Sequence, residues 1–383
     1  MADRLRRYRA KRDVARTPEP VPQAEPSPTV PPAEPRSADA KPADGDRLRF
    51  VIQQHHARRL HWDFRLERDG VLVSWAVPKG VPRDPEHNHL AVRTEDHPME
   101  YLDFAGRIPE GEYGGGLVKI YDRGTYRVEK WRDDEVIVIL DGERITGRHV
   151  LFHTRGDDWM IHRMDPPEAG WQPLPELTLP MRATRGSLPD TDGWGYEMRW
   201  DGVRAISRVS GGQVHLTDPD GEDITSGYPE LRGLAEALAP VECVLDGEIL
   251  GFRDGRPSAD ALERRSASRQ GADQQRSGRS RRRASRGLPG ETISYLAYDL
   301  LHADGESLLA LGYAERRERL AALEVAGEHW QTPPYFPGNG AAAVATSQEQ
   351  GLSGVVAKRL DSVYRPGKRT RDWLDVPVKR PRR

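Results

Sequence analysis

The stretch Arg59-Leu-His-Trp-Asp-Phe-Arg-Leu-Glu67 decides how the first half of the chain is read. Leu60, Trp62, Phe64 and Leu66 alternate strictly with His61, Asp63, Arg65 and Glu67. On a β-strand, period-2 alternation puts the apolar four on one face and the polar four on the other. An ordinary solvent-facing strand can carry such charges, so alternation alone assigns no chemistry. Imidazole, carboxylate and guanidinium at successive positions of one face nevertheless form a row suited to a metal and its phosphate ligand. His61 and Asp63 offer the nitrogen and oxygen donors that suit Mn²⁺ or Zn²⁺. Arg65 adds the planar fork that grips phosphate oxygens.

Just upstream, His55-His56 offers a further ligand, and Glu95-Asp96-His97-Pro98 another imidazole. A solitary histidine is more often structural than ligating. Three or four in this company reverse that judgement and point to a metal site. A structural zinc site is disfavoured because cysteine ligands are lacking, Cys243 being the chain's single cysteine.

Working outward, residues 47–165 carry short apolar runs separated by Gly, Pro and Asp. Val71–Val77, Leu117–Tyr121 and Glu135–Leu140 read as strands of a mostly β domain, a barrel or a sandwich. Residues 1–46 precede it as a basic start, Arg4-Leu-Arg-Arg-Tyr-Arg-Ala-Lys-Arg12, and a linker with nine prolines between 18 and 44. The basic start is expected to be a solvated arm or a nucleic-acid contact; the linker is expected to be extended and mobile. A Pro-rich link over 166–177 leads into a mixed α/β stretch over 178–383. There, Pro229–Leu238 and Ala314–Leu323 look helical, and Val241–Leu250 and Thr292–Leu300 look like strands. Residues 264–286 hold nine arginines against one acid, Asp273, and read as a disordered basic loop. Its charge density makes phosphate contact plausible, against the alternative of plain solvation.

The bulk numbers set limits. A chain of 383 residues accommodates two ordinary domains. Charged residues make up 31%, yet the net charge is −2, so any basic surface must be local. One cysteine excludes an intrachain disulfide and fits a reducing interior. Neither a run of about 20 apolar residues nor a signal peptide is present, so the expectation is a soluble cytoplasmic protein without a membrane partner.

His55 through Glu67, Ser74-Trp-Ala-Val-Pro-Lys-Gly80, Thr94-Glu-Asp-His-Pro98 and Ile108-Pro-Glu-Gly-Glu-Tyr-Gly114 together resemble the 3′-phosphoesterase domain of bacterial end-joining DNA ligase D. The resemblance covers about residues 47–165, and several long motifs in fixed order make it specific. Lys11-Arg-Asp and Thr17-Pro-Glu-Pro20 also resemble that family's N-terminal arm. The resemblance implies a Mn²⁺-dependent enzyme that trims a terminal 3′ ribonucleoside and then removes the remaining 3′-phosphate. By position it makes His55, His61 and Asp63 the metal ligands, and puts Arg65, Lys79, His97 and Tyr101 around the scissile phosphate. His97 is then a phosphate-binding donor or a proton-transfer group. Glu95 is a further phosphate-side candidate. His89 stands where the family often has arginine, a departure that would weaken phosphate binding or make it pH-sensitive.

The second half resembles the nucleotidyltransferase domain of ATP-dependent DNA ligases. Carrying residues are Arg199-Trp-Asp-Gly-Val-Arg204, Val244-Leu-Asp-Gly-Glu-Ile249, Tyr298-Asp-Leu-Leu301, Gly354-Val-Val-Ala-Lys-Arg-Leu360 and Ser362-Val-Tyr-Arg-Pro-Gly367. In that family a lysine opens the Lys-x-Asp-Gly motif and its amine attacks the α-phosphate of ATP. Here Arg199 stands in front of Asp201, and a delocalised, permanently charged guanidinium cannot be that nucleophile. The sequence has no lysine between Lys130 and Lys358 to replace it. Ser353 stands where a metal-binding glutamate is expected. The arginine expected within Leu216–Gly221 is missing, and the last lysine motif reads Trp373-Leu-Asp-Val-Pro-Val-Lys379. The chain stops where an OB domain would follow. Ligation is therefore expected to be absent and ATP binding doubtful. Arg204, Glu248, Tyr298 and Lys358 persist, leaving open nucleotide or nucleic-acid binding without chemistry, or retention for the fold alone.

The expected protein is thus α+β with two domains: a β-barrel-like phosphoesterase, then an antiparallel-sheet nucleotidyltransferase-like domain. It would process DNA or RNA-DNA primer-template 3′ ends in non-homologous end joining. The family context implies a Ku-type end-binding protein and a separate polymerase or ligase as partners. The rival expectation is a non-catalytic DNA-binding scaffold that recruits end-joining factors.

Overall fold

The alternating stretch folds as the second strand of a hairpin, in a computed structural model that describes residues 3–22, 47–263 and 290–378. The Arg-rich stretch 264–286, Lys379 and residues 23–46 lie outside the described residues. The chain divides into two units, 1–171 and 172–383, with the boundary inside the expected link.

Nine strands build the first unit: β1 (Leu48–His56), β2 (Leu60–Arg68), β3 (Val71–Val77), β4 (His89–Arg93), β5 (Gly106–Ile108), β6 (Gly116–Trp131), β7 (Glu135–Gly142), β8 (Thr146–Arg155) and β9 (Asp158–Arg163). Their order is β1-β2-β3-β4-β9-β8-β7-β6, and β6 pairs back onto β1, so eight antiparallel strands close a barrel. β5 pairs on β6 beside the closed ring. Closure settles barrel over sandwich and leaves the ring no open edge. Phe50, Ile52, Trp62, Phe64, Leu66, Trp75 and Ile161 fill the interior.

The two central polar alternates of β2 are not solvated, whereas His61 and Glu67 are half-buried. Asp63 and Arg65 are only 6% and 2% exposed, because other parts of the chain cover that outer face. The short helix α1 (Arg6–Ala10) and the 3-10 turn Met99–Asp103 lie there, and Tyr8, Val51, Leu72, Tyr101 and Leu102 form a second apolar cluster. Tyr8 is fully buried and its hydroxyl donates to the Pro20 carbonyl at 2.8 Å. The expectation of a solvated basic arm is therefore corrected: residues 3–22 pack on the barrel, and the arm belongs to the first unit. One tyrosine set among six cations supplies the anchor, and a composition count cannot show which surface receives it.

The second unit holds two sheets. One runs through Trp194–Arg199, Gly354–Arg359 and Arg369–Pro377, with Arg182–Arg185 added parallel to the last of these. The other joins Val203–Ser210, Gln213–Thr217, Cys243–Arg253 and Glu291–Ala303 antiparallel. The expected strand Thr292–Leu300 lies inside Glu291–Ala303, and the one expected over Val241–Leu250 starts two residues later and runs to Arg253. The helix expected over Ala314–Leu323 is Tyr313–Ala322. Pro229–Leu238 instead splits into a 3-10 turn, Pro229–Arg232, and one α-helical stretch, Gly233–Leu238. A further helix, Gly340–Glu349, starts where the Asn339 side chain accepts the Ala342 N–H at 3.0 Å. No helix among the described residues is long and apolar enough to cross a membrane.

Candidate active site

The β1–β2 hairpin register sets the site. His55 pairs with His61, Gln53 with Asp63 and Val51 with Arg65, and paired residues project from the same face. Sequence-distant histidines thereby become neighbours, with Asp63 one step along the row. One ligand atom from each of His55, His61 and Asp63 can be chosen so that all lie within 4.8 Å of one another. His55 Nδ1 is 3.4 Å from Asp63 Oδ2, and His61 Nε2 is 3.6 Å from Asp63 Oδ1.

The outward nitrogens settle the tautomers. His55 Nε2 is 2.7 Å from the Gly114 carbonyl, and His61 Nδ1 is 3.0 Å from the Arg59 carbonyl. A carbonyl only accepts, so those nitrogens carry the protons in the neutral rings. The lone pairs of His55 Nδ1 and His61 Nε2 then both face the Asp63 carboxylate. Three electron-rich atoms repel one another unless a cation lies among them. Two imidazoles oriented by carbonyls plus one carboxylate are therefore a donor set that fits a divalent ion.

Arg65 continues the row. Its Nε donates to Gln53 Oε1 at 2.7 Å and one terminal nitrogen donates to Asp63 Oδ2 at 2.9 Å. Its other terminal nitrogen, Nη1, is buried without a hydrogen-bond partner. A buried guanidinium donor with nothing to bond is costly, and a ligand oxygen would satisfy it. Burial on its own would raise the Asp63 carboxyl, but the Arg65 guanidinium beside it holds it well below the ordinary carboxylate range.

His97 and Tyr101 flank Arg65. The guanidinium lies 4.7 Å from the Tyr101 ring centroid, and the His97 and Tyr101 rings meet edge-on at 4.9 Å. His97 Nδ1 is 2.8 Å from the Glu95 carbonyl. Burial, reinforced by Arg65 and Arg12, pushes its pKa well below the usual value, so the ring stays neutral. His97 is thus beside the row but outside the group of three ligands. The Tyr101 hydroxyl is engaged by the arm, donating to Glu19 Oε1 at 2.8 Å.

That arm supplies the residues the motif reading missed. Arg12 spans Glu19 at 2.8 Å and Glu95 at 3.2 Å, and approaches His97 Nε2 at 3.4 Å. Lys11 holds the other Glu95 oxygen at 2.9 Å. Glu95, a phosphate-side candidate, is instead the anchor for two arm cations. Burial alone would raise its pKa, but the bonds from Lys11 and Arg12 lower it. The only sequence signal was the arm motif itself, Lys11-Arg-Asp with Glu19.

Two further candidates lie on the turn after β3 and at the start of β4. Lys79 is exposed on the turn after β3 and has no ion-pair partner among the described residues. His89 opens β4, opposite Ile161 of the interior core, and its Nδ1 lies 2.7 Å from the Gly80 carbonyl. Register therefore puts it on the inward face, whereas Asp63 and its partner Ala76 face outward. The expectation that His89 stands at the phosphate is corrected on that ground.

The second unit has a cavity of about 410 Å³ lined by Arg199, Arg204, Glu248, Tyr298, Arg369 and Trp373 among others. Arg199 bridges Asp201 at 3.0 Å and Asp375 at 3.1 Å. Arg204 makes a two-toothed contact with buried Asp246, at 2.7 and 2.6 Å, and Tyr364 donates to the same carboxylate at 2.7 Å. Glu248 accepts from the Gly202 N–H and, at 2.7 Å, from the Tyr298 hydroxyl; burial raises its pKa. Lys358 is 1% exposed, 2.6 Å from Glu197 and 4.1 Å from the Trp373 ring centroid. Ser353 immediately precedes Gly354, the residue paired with Arg199, and its hydroxyl has no partner among the described residues. Arg182 and Arg369, which no motif marked, also line the cavity.

Residues 53–153 match the family model described as DNA Ligase D 3′-phosphoesterase domain, and residues 180–376 match that described as ATP dependent DNA ligase domain. The multifunctional non-homologous end joining protein LigD of Mycobacterium bovis is 44% identical over 98% of this chain and 45% of its own length. The corresponding Pseudomonas aeruginosa protein is 33% identical over 97% of this chain and 47% of its own. The chain thus spans a little under half the length of these relatives. A solved structure of mycobacterial DNA ligase D complexed with ATP and MES is 34% identical, over 52% of this chain and 60% of its own, with a TM-score of 0.42.

Proposed function

From a chain that belongs to the DNA ligase D family, with a 3′-phosphoesterase domain followed by an ATP-dependent DNA ligase domain, we propose a Mn²⁺-dependent 3′-end-processing enzyme of non-homologous end joining. Its substrate is a DNA or RNA-DNA primer-template 3′ end. Hydrolysis of the last phosphodiester releases the terminal ribonucleoside and leaves a 3′-phosphate. A second hydrolysis releases inorganic phosphate and leaves a 3′-OH. Partners in this reading are a Ku-type end-binding protein and an end-joining polymerase or ligase.

The observation that carries the reading is the meeting of two unsatisfied demands on one face of β1–β2. Two histidine lone pairs and a carboxylate call for a cation, and the buried Nη1 donor of Arg65 calls for an acceptor. A phosphate on a divalent ion answers both. His55, His61 and Asp63 would hold that ion; Zn²⁺ suits the same donors, and Mn²⁺ is preferred on the family resemblance. When bound, it supplies positive charge that polarises phosphoryl oxygens and acidifies water. Arg65 orients the phosphate and offsets charge that grows on its oxygens. Neutral His97 is kept in one tautomer by the Glu95 carbonyl, and the arm shields the polar row from bulk water.

In the second domain, we propose that no lysyl-adenylate forms. Arg199 is tied to two carboxylates, and Lys358 is closed off against Glu197 beneath Trp373. The rival scaffold reading requires no metal. The test is processing of a primer-template with one 3′-terminal ribonucleotide, with Mn²⁺ and with chelator. Sequential 3′-phosphate and 3′-OH products only with metal support the enzyme. Duplex binding without any product in any divalent metal supports the scaffold.

A further inference from the structure

Among the aromatic side chains around the metal row, Tyr113 alone is open. Tyr8 and Tyr101 are buried, whereas Tyr113 is 47% exposed and belongs to the motif Ile108–Gly114, to which the proposed chemistry assigns no role. The motif is tied to the site at two points. The Gly114 carbonyl accepts the proton of the ligand His55 at 2.7 Å, so the residue next to Tyr113 touches the metal row. Gly114 has φ +76°, and an added Cβ would come within 3.6 Å of the His55 ring, so the turn fits closely against that ring. On its other side, Tyr113 meets the arm. Lys11 Nζ is 2.9 Å from its hydroxyl and 4.3 Å from its ring centroid, and the Arg12 guanidinium is 5.5 Å from that centroid. Lys11 in turn bonds Glu95, beside His97. An exposed ring in this clasp is positioned at the rim of the phosphate site and has no partner for its open surface.

We propose that Tyr113 is the stacking platform for the nucleobase of the departing 3′-terminal nucleoside, an inference that rests on the phosphoesterase reading above. Every base has a π face, so an aromatic side chain beside a phosphate site binds bases without regard to sequence. Such a platform acts on the nucleoside side of the scissile phosphate. It therefore favours diester substrates that carry a base and contributes nothing to the base itself where none is present.

The experiment compares wild type, Tyr113→Leu and Tyr113→Phe on primer-templates ending in a normal ribonucleotide or in an abasic ribose phosphodiester. Tyr113→Leu should lower removal of the base-bearing nucleoside on the order of tenfold more than removal of the abasic one, chiefly through KM. Tyr113→Phe, which keeps the ring and loses the bond to Lys11, should preserve the wild-type ratio of the two. Equal losses on both substrates, or a ratio changed as much by Phe as by Leu, overturn the platform and make Tyr113 a clasp for the arm. A terminal 2-aminopurine, bound without metal, gives an independent readout. Its fluorescence should be quenched by wild type and by Tyr113→Phe, but not by Tyr113→Leu. Quenching that persists in Tyr113→Leu also overturns the proposal. Wild type inert on both substrates with every metal would fault the phosphoesterase reading, while the quenching measurement would still decide the stacking.

Discussion

The metal row of the barrel and the cavity of the second domain are both built from cross-strand polar residues on antiparallel sheet, yet they are satisfied differently. On the barrel, His55 and His61 use one nitrogen each on a carbonyl and leave the other facing Asp63, and Arg65 keeps a buried donor without a partner. In the cavity, Arg199 is engaged by Asp201 and Asp375 and Arg204 by Asp246, and behind its lining Lys358 pairs with Glu197. The first arrangement is complete only with a ligand; in the second the two arginines are already matched by carboxylates, and the buried Lys358 Nζ and Ser353 hydroxyl are what is left without a hydrogen bond. A retained fold therefore says little about retained chemistry, and the unsatisfied atoms say more.

The sharpest way to break this contrast is to remove a ligand from the row. His61→Ala should abolish Mn²⁺-dependent processing, by more than the about 10- to 100-fold that loss of a ligand's supporting contact produces. Isothermal titration of Mn²⁺ into both proteins checks that binding disappears with activity; activity retained with binding lost would sink the row as the metal site. Next, Arg12→Ala leaves Glu19 and Glu95, both almost fully buried, without their shared cation. Removing one partner of a buried pair costs about 3–5 kcal/mol, so the arm should undock and expose residues 3–22 to protease, with activity falling about 10- to 100-fold.

In the cavity, labelled ATP should leave no label on wild type. Arg199→Lys restores an amine but not the carboxylate lost at Ser353, so it too should remain unlabelled, and only the pair Arg199→Lys with Ser353→Glu should give labelled protein. Strong labelling of the single variant would show that one atom group, rather than several, separates this domain from an active one. The smallest effect is expected at His89. His89→Arg should change phosphoesterase rates by no more than about twofold, because the side chain is off the metal row. A large gain would place that strand nearer the phosphate than the register does.

Much of this contrast was legible in the chain. The alternation over 60–67 specified β2 and its two faces, and the motif order specified which histidines and carboxylate act together. Arg199 was legible directly, and the proposal that no adenylate forms rests on it, because lysine and arginine differ in whether an amine can ever be free. Less legible were the inner and outer assignments that depend on closure. His89 looked like a phosphate group by its place in a motif, yet β4 turns it inward opposite Ile161. The basic start looked solvated, yet Tyr8 is buried to 0% exposure against the outside of the barrel.

By itself, then, the sequence determined the donor types, their spacing on β1 and β2, and that arginine stands at position 199 in front of Asp201. Local periodicity and side-chain chemistry are enough for each of these. Only the tertiary structure decided that Arg12 and Glu19 belong to the site, that Glu95 serves the arm, and that Tyr113 stays open beside His55. Those contacts join residues as many as 102 positions apart, as between Lys11 and Tyr113. Which surface a distant segment covers is set by the packing of whole elements, and no short-range pattern records it.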